Sequence, residues 1–130
     1  MSPDDASADQ VLPPAPTSVG LARRLVTGLC RGRGVDEDTT DTAVLLASET
    51  VTNAILHGRS EVRLRVSVTP VAVAVEVGDD NSRHPRLQPQ DSEALDGRGL
   101  QILQLAASRW GVHEDTGGKV VWFQVDRPVA

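Results

Sequence analysis

The sequence predicts an α+β fold, a single two-layer sandwich whose mostly antiparallel sheet is covered on one face by helices. Three observations carry that reading. Two stretches in the first half repeat apolar residues at three- and four-residue steps, and valines alternate with polar residues on either side of Thr69-Pro70. The helical stretches also precede and interrupt the strands without alternating regularly with them, which argues against a doubly wound parallel sheet. At 130 residues, 39% of them hydrophobic, the chain can bury roughly two thirds of its unfolded surface around one core. One folded domain over residues 17–130 is expected.

Residues 1–16 mix Asp4, Asp5 and Asp9 with Pro3, Pro13, Pro14 and Pro16, a composition expected of a disordered or loosely docked arm. Order is expected to begin at Thr17 or Ser18, either of which can cap a helix bearing Val19, Ala22, Val26, Leu29 and Cys30 on one stripe. Gly32 or Gly34 ends it. Cys30 lies on the apolar stripe and reads as core. Asp36 or Asp38 then caps a second helix, with acidic residues in its first turn where the helix dipole favours them. Gly58 ends that helix. At about 100° per residue, Ala43, Val44, Ala47, Val51, Ala54 and Ile55 form its core arc. Leu45, Leu46 and Leu56 flank the opposite arc.

Val62, Leu64, Val66 and Val68 alternate with Glu61, Arg63, Arg65 and Ser67, and Val71, Val73, Val75 and Val77 continue the pattern. This predicts a hairpin with one face on the core. Ser82 to Asp96, rich in Pro, Gln and charge, resembles a mobile lid. Gly97-Arg98-Gly99-Leu100 opens a third helix carrying Leu100, Leu103 and Ala107, and backbone donors at such a start suit an anion. Two final strands, around Val112 and from Val120 to Val125, are joined by Thr116-Gly117-Gly118-Lys119. Trp110, Trp122 and Phe123, the only aromatics, read as core or dimer-surface residues.

A net charge of -5 and a pI near 5.0 lack the basic footprint of a nucleic-acid binder. The single Cys30 excludes an internal disulfide, and no apolar run approaches the roughly 18 residues of a membrane span. The acidic, proline-rich start lacks the charge order of a secretion signal. A cytoplasmic setting without membrane partners is the expectation. His57, His84, His113 and Cys30 show no paired zinc spacing.

The most informative stretch runs from Glu49 through Asn53 and His57 to Gly58. Positions i, i+4 and i+8 form one helical stripe, so a carboxylate, a carboxamide and an imidazole can jointly face a ligand containing a metal and phosphates. The second strand ends in Gly78-Asp79-Asp80-Asn81, which places an acceptor at a strand end. No Gly-x-x-x-x-Gly-Lys-Ser/Thr motif is present.

Together these motifs resemble the ATPases of the gyrase, Hsp90, histidine-kinase and MutL superfamily, and within it the anti-sigma-factor serine kinases and their ATP-binding relatives. The resemblance covers about residues 17–126 and implies a Bergerat-type ATP-binding fold. It further implies that Asn53 ligates Mg²⁺, that Glu49 is the general base, and that Asp79 accepts a hydrogen bond from the adenine amino group, so that guanine binds poorly. Gly97, Arg98, Gly99 and Leu100 then form the phosphate-binding box, with Gly58 and Asn81 completing the ATP-binding set. His57 either contacts a phosphate or is satisfied by backbone at the helix end. The implied activity is that of a homodimeric kinase that binds a sigma factor and phosphorylates an anti-anti-sigma antagonist on serine. Two departures stand out. Superfamily members carry Asp-x-Gly-x-Gly at the adenine aspartate, where this chain has Asp79-Asp80-Asn81-Ser82-Arg83 without either glycine, and Val120 stands where relatives often have threonine. Both favour an alternative, a regulator of the same fold that acts by partner binding with weak or no ATP binding.

Overall fold

In a computed structural model the described residues are 5–57, 61–79, 98–115 and 118–128. Their order is β1 (Ala6–Leu12), α1 (Thr17–Gly32), α2 (Glu37–His57), β2 (Val62–Val68), β3 (Ala72–Asp79), α3 (Arg98–Ala106), β4 (Arg109–Asp115) and β5 (Gly118–Asp126). The strands form one five-stranded sheet, β1-β2-β3-β5-β4, in which every neighbouring pair is antiparallel. The helices lie against the sheet face that buries Leu64, Val66, Val75, Val77 and Phe123. This is the α+β sandwich expected of the sequence.

Each helix boundary has a local cause. In α1 the backbone N–H of Gly34 donates to Arg31 and that of Val35 to Cys30, and Gly34 takes φ 71°. This pair of bonds terminates the helix on a left-handed residue that glycine adopts without a Cβ penalty, while buried Val35 closes over Cys30. At the start of α2, Asp36 accepts the Thr39 backbone N–H at 3.0 Å, which identifies it as the cap. The many hydroxyls of α2 do not unwind it, because Thr42, Ser48, Thr50 and Thr52 donate to carbonyls four residues back.

Four sequence expectations change. Residues 6–12 are not a loose arm: they pair with β2 over seven residues, from Ala6 opposite Val68 to Leu12 opposite Val62. Backbone pairing holds this segment, reinforced by buried Leu12 and by the Asp9–Arg65 ion pair at 2.8 Å. Neither Thr17 nor Ser18 caps α1, since Pro16 occupies the cap without a side-chain bond and the Ser18 hydroxyl donates to the Pro13 carbonyl at 2.6 Å. Leu46 belongs to the core with Ala43, Ala47 and Val51, because the core stripe of α2 is rotated to include it; Leu45 and Leu56 remain exposed. Val71 is exposed at the β2–β3 turn, one residue before β3 begins.

Arg127 ties the far end of the sheet together. Its guanidinium donates to the carbonyls of Thr69 and Gly34, and its N–H to Val71, joining the end of β5 to the β2–β3 turn and the α1–α2 connection.

Candidate functional site

At the opposite end of the sheet, β3 finishes in Asp79. Side chains alternate along a strand, and Asp79 shares the helix-covered face with Val73, Val75 and Val77; only 6% of it is exposed. Its direct cross-strand neighbours are Val62 on β2 and Lys119 on β5. Lys119 is 8% exposed, so a carboxylate and an ammonium are buried opposite one another. Lys119 directly follows Gly118, whose φ of 137° suits a residue without a Cβ.

Glu49 and Asn53 lie one turn apart on α2 and both are half-buried. The helix that carries them packs on β3, β5 and α3, so these two polar groups sit on an element in direct contact with the strand ending in Asp79. His57 is the last residue of α2. Arg98, Gly99 and Leu100 form the first turn of α3, which is anchored to the core by buried Leu103. Gly58, Asn81, Gly97, the lid expected over Ser82–Asp96, and Thr116-Gly117 lie outside the described residues.

The donor set suits a magnesium nucleotide. A hard cation takes oxygen ligands and retains water, which a half-buried carboxamide and a neighbouring carboxylate can accommodate. A buried carboxylate at a strand end supplies an acceptor for a base. Among the described residues no group of three or more His, Cys, Asp or Glu is gathered for a metal held by protein alone.

Two hollows lie away from these residues, on the helix-free face of the sheet. One, of about 290 Å³, is lined by Asp9, Arg63, Arg65, Glu76, Gly78 and Val120 among others. Another, of about 260 Å³, is bounded by Ala74, Glu76, His113, Trp122 and Gln124. There Trp122 lies across Gly111, where a Cβ would come within 2.7 Å of the indole, and stacks on His113 with ring centroids 6.5 Å apart. Phe123, the remaining aromatic of β5, points the other way into the core.

The sequence marks Asp79 at a strand end and leaves Lys119 as part of the Thr116–Lys119 turn. The signal was present in the alternation of β5, where Lys119 falls in phase with Val121, Phe123 and Val125. A lysine on the apolar phase of a strand calls for a buried partner.

The described residues form a two-layer α+β sandwich in which buried Asp79 ends a strand that packs against α2. The chain belongs to the histidine kinase-like ATPase domain family, whose model matches residues 12–125. Among solved structures it is similar to the RsbU and RsbW domains of Rv1364c from Mycobacterium tuberculosis, with a TM-score of 0.74 and 18% identity. That match covers 95% of this chain and 33% of the other, so the chain spans about a third of the length of that protein. No curated protein matches.

Proposed function

We propose that this chain is an ATP-binding anti-sigma regulator that works by partner switching and acts as a protein-serine kinase on an anti-anti-sigma antagonist. The observation that carries the reading is that buried Asp79 ends a strand on which α2, the helix bearing Glu49 and Asn53, packs. Membership of the ATPase family and the fold shared with a structure containing an RsbW domain support it.

In this reading Asp79 accepts the adenine amino group, a contact that discriminates against a base presenting an acceptor at that position. Asn53 supplies a carboxamide oxygen to Mg²⁺. Bound Mg²⁺ neutralises phosphate charge when present. Glu49, one turn before Asn53, accepts the proton of the attacking serine hydroxyl. Arg98 and the backbone amides at Gly97 and Gly99 hold phosphate oxygens at the start of α3, with His57, Gly58, Asn81 and Leu100 completing the ATP-binding set. Sigma factor and antagonist are the partners, and a homodimer is the working form.

Calorimetric titration with Mg-ATP tests the site. Binding by wild type that is lost in Asn53→Ala and Asp79→Asn is the expected outcome, with Glu49→Ala retaining ATP but losing phosphate transfer to the partner serine. Absence of binding at millimolar ATP would sink the kinase reading. The second reading, a non-catalytic regulator of the same fold, draws on Asp80-Asn81-Ser82-Arg83 and Val120, and on it Glu49→Ala leaves partner inhibition intact.

A further inference from the structure

We propose that the hollow beside Trp122, on the helix-free face of the sheet, receives the guanidinium of an arginine side chain presented by a partner protein. The hollow lies on the other side of the sheet from Asp79 and the helices, so it stands apart from the nucleotide-binding reading. Alternation along the strands assembles it. β3 presents Ala74 and Glu76 on this face, β5 presents Trp122 and Gln124, and β4 presents Gly111 and His113. In register, Glu76 stands opposite Trp122 and Trp122 opposite Gly111.

Three features of this surface suit a planar cation. The first is the indole. It lies flat over Gly111, where a Cβ would come within 2.7–2.8 Å of three of its atoms, so one ring face rests on the glycine. Trp122 is half-buried, which leaves the other face to the solvent side, and His113 extends the aromatic surface with its ring tilted by 25°. The second is Glu76. Its side chain is exposed, and no hydrogen bond or ion pair engages its carboxylate among the described residues. Arg65, its cross-strand neighbour on β2, attracts it but gives its guanidinium to Asp9 at 2.8 Å. The third is Gln124, whose carboxamide oxygen meets Arg109 only at 3.5 Å, while Arg109 is held by Asp126 at 3.1 Å. That oxygen keeps the capacity to accept from a second donor.

Chemistry selects among occupants. The volume of about 260 Å³ falls below the roughly 300–1,000 Å³ of sites that enclose whole small molecules, and it suits the end of one side chain. An apolar side chain would cover the Glu76 carboxylate without offering it a donor, which is unfavourable. An ammonium is a compact, strongly hydrated point charge, whereas a guanidinium is planar and can lie on the indole while its edge donates to Glu76 and Gln124. The net charge of -5 favours the approach of a basic partner. Arg63 and Arg65 bound the neighbouring hollow beyond Glu76, which confines an incoming cation to the Trp122 side.

The indole N–H signals of ¹⁵N-labelled protein, followed during titration with N-acetyl-arginine amide, test the proposal. The signal of Trp110, which packs against the core on the other face, is identified by its loss in Trp110→Phe and serves as an internal control. The Trp122 signal is expected to move and saturate with a Kd of about 1–30 mM while that of Trp110 stays. N-acetyl-citrulline amide, an uncharged isostere, and N-acetyl-lysine amide should bind at least about fivefold more weakly. Glu76→Gln should weaken arginine amide by about 3- to 30-fold, and Gly111→Ala, which lifts the indole without altering charge, by a similar factor. The wild-type comparison of the three amides stands even where a variant fails to fold. An unmoved Trp122 signal at about 100 mM arginine amide, citrulline or lysine amide binding as well as arginine amide, or unchanged affinity in a folded Glu76→Gln overturns the proposal. Free arginine binding more than about tenfold tighter than its amide reassigns the hollow to a small metabolite and overturns the partner protein as occupant. None of these outcomes bears on nucleotide binding.

Discussion

Cys30 shows how a single side chain is set by its surroundings. It is fully buried on the inner face of α1, and burial pushes its thiol pKa up, with the positive Arg127 acting in the lowering direction. The thiolate is the reactive form, so Cys30 should resist aromatic disulfide reagents in the folded protein and react promptly once urea unfolds it. Asp36 behaves in the opposite sense. Hydrogen bonds from Thr39, first its side chain and then its backbone N–H, hold the carboxyl below its ordinary pKa. A depressed folded pKa means that the cap stabilises fully above the unfolded carboxylate range and fades as pH falls through the folded value. Thermal melts of Asp36→Ala should accordingly show a lower midpoint than wild type at neutral pH, with the gap closing on acidification.

The element scale separates what the residues announced from what they concealed. The hairpin β2–β3 was legible because Val62, Leu64, Val66 and Val68 keep strict period two, and all four are buried. The helix α2 was legible from Ala43, Ala47 and Val51 at helical spacing, all three buried. β1 was not. Its inward positions Ala6, Ala8 and Gln10 carry little apolar area, and only Leu12 is buried, so a polar, proline-flanked segment reads as disorder while its backbone completes a ladder. α2 concealed its exact core arc because it is apolar on two sides, leaving Leu46 ambiguous until β3 and α3 packed against it. Leu12→Ala should lower stability by about 2–5 kcal/mol in urea titration. Hydrogen exchange should speed up over residues 6–12 ahead of the hairpin amides.

For the molecule as a whole, the division of labour runs along the sheet. One end of β3 presents Asp79 and Lys119, and the other is fastened by Arg127 to the β2–β3 turn and the α1–α2 connection. Hydrogen bonds from a charged donor contribute about 1.5–3 kcal/mol in sheltered settings; Arg127 is only half-buried, so Arg127→Ala should cost about 1–2 kcal/mol in urea titration. Nucleotide affinity should change little, because the clasp and Asp79 occupy opposite ends of the strand.

Strand order also imposes a schedule on synthesis. β1 leaves the ribosome first, yet its partner β2 follows only after both α1 and α2. With Leu12 and Val62 about 50 positions apart and translation adding about 5–20 residues per second, β1 waits several seconds for a partner. During that interval its polar composition is an advantage: a segment that looks too hydrophilic to be a strand is one that can wait in water without finding the wrong neighbour.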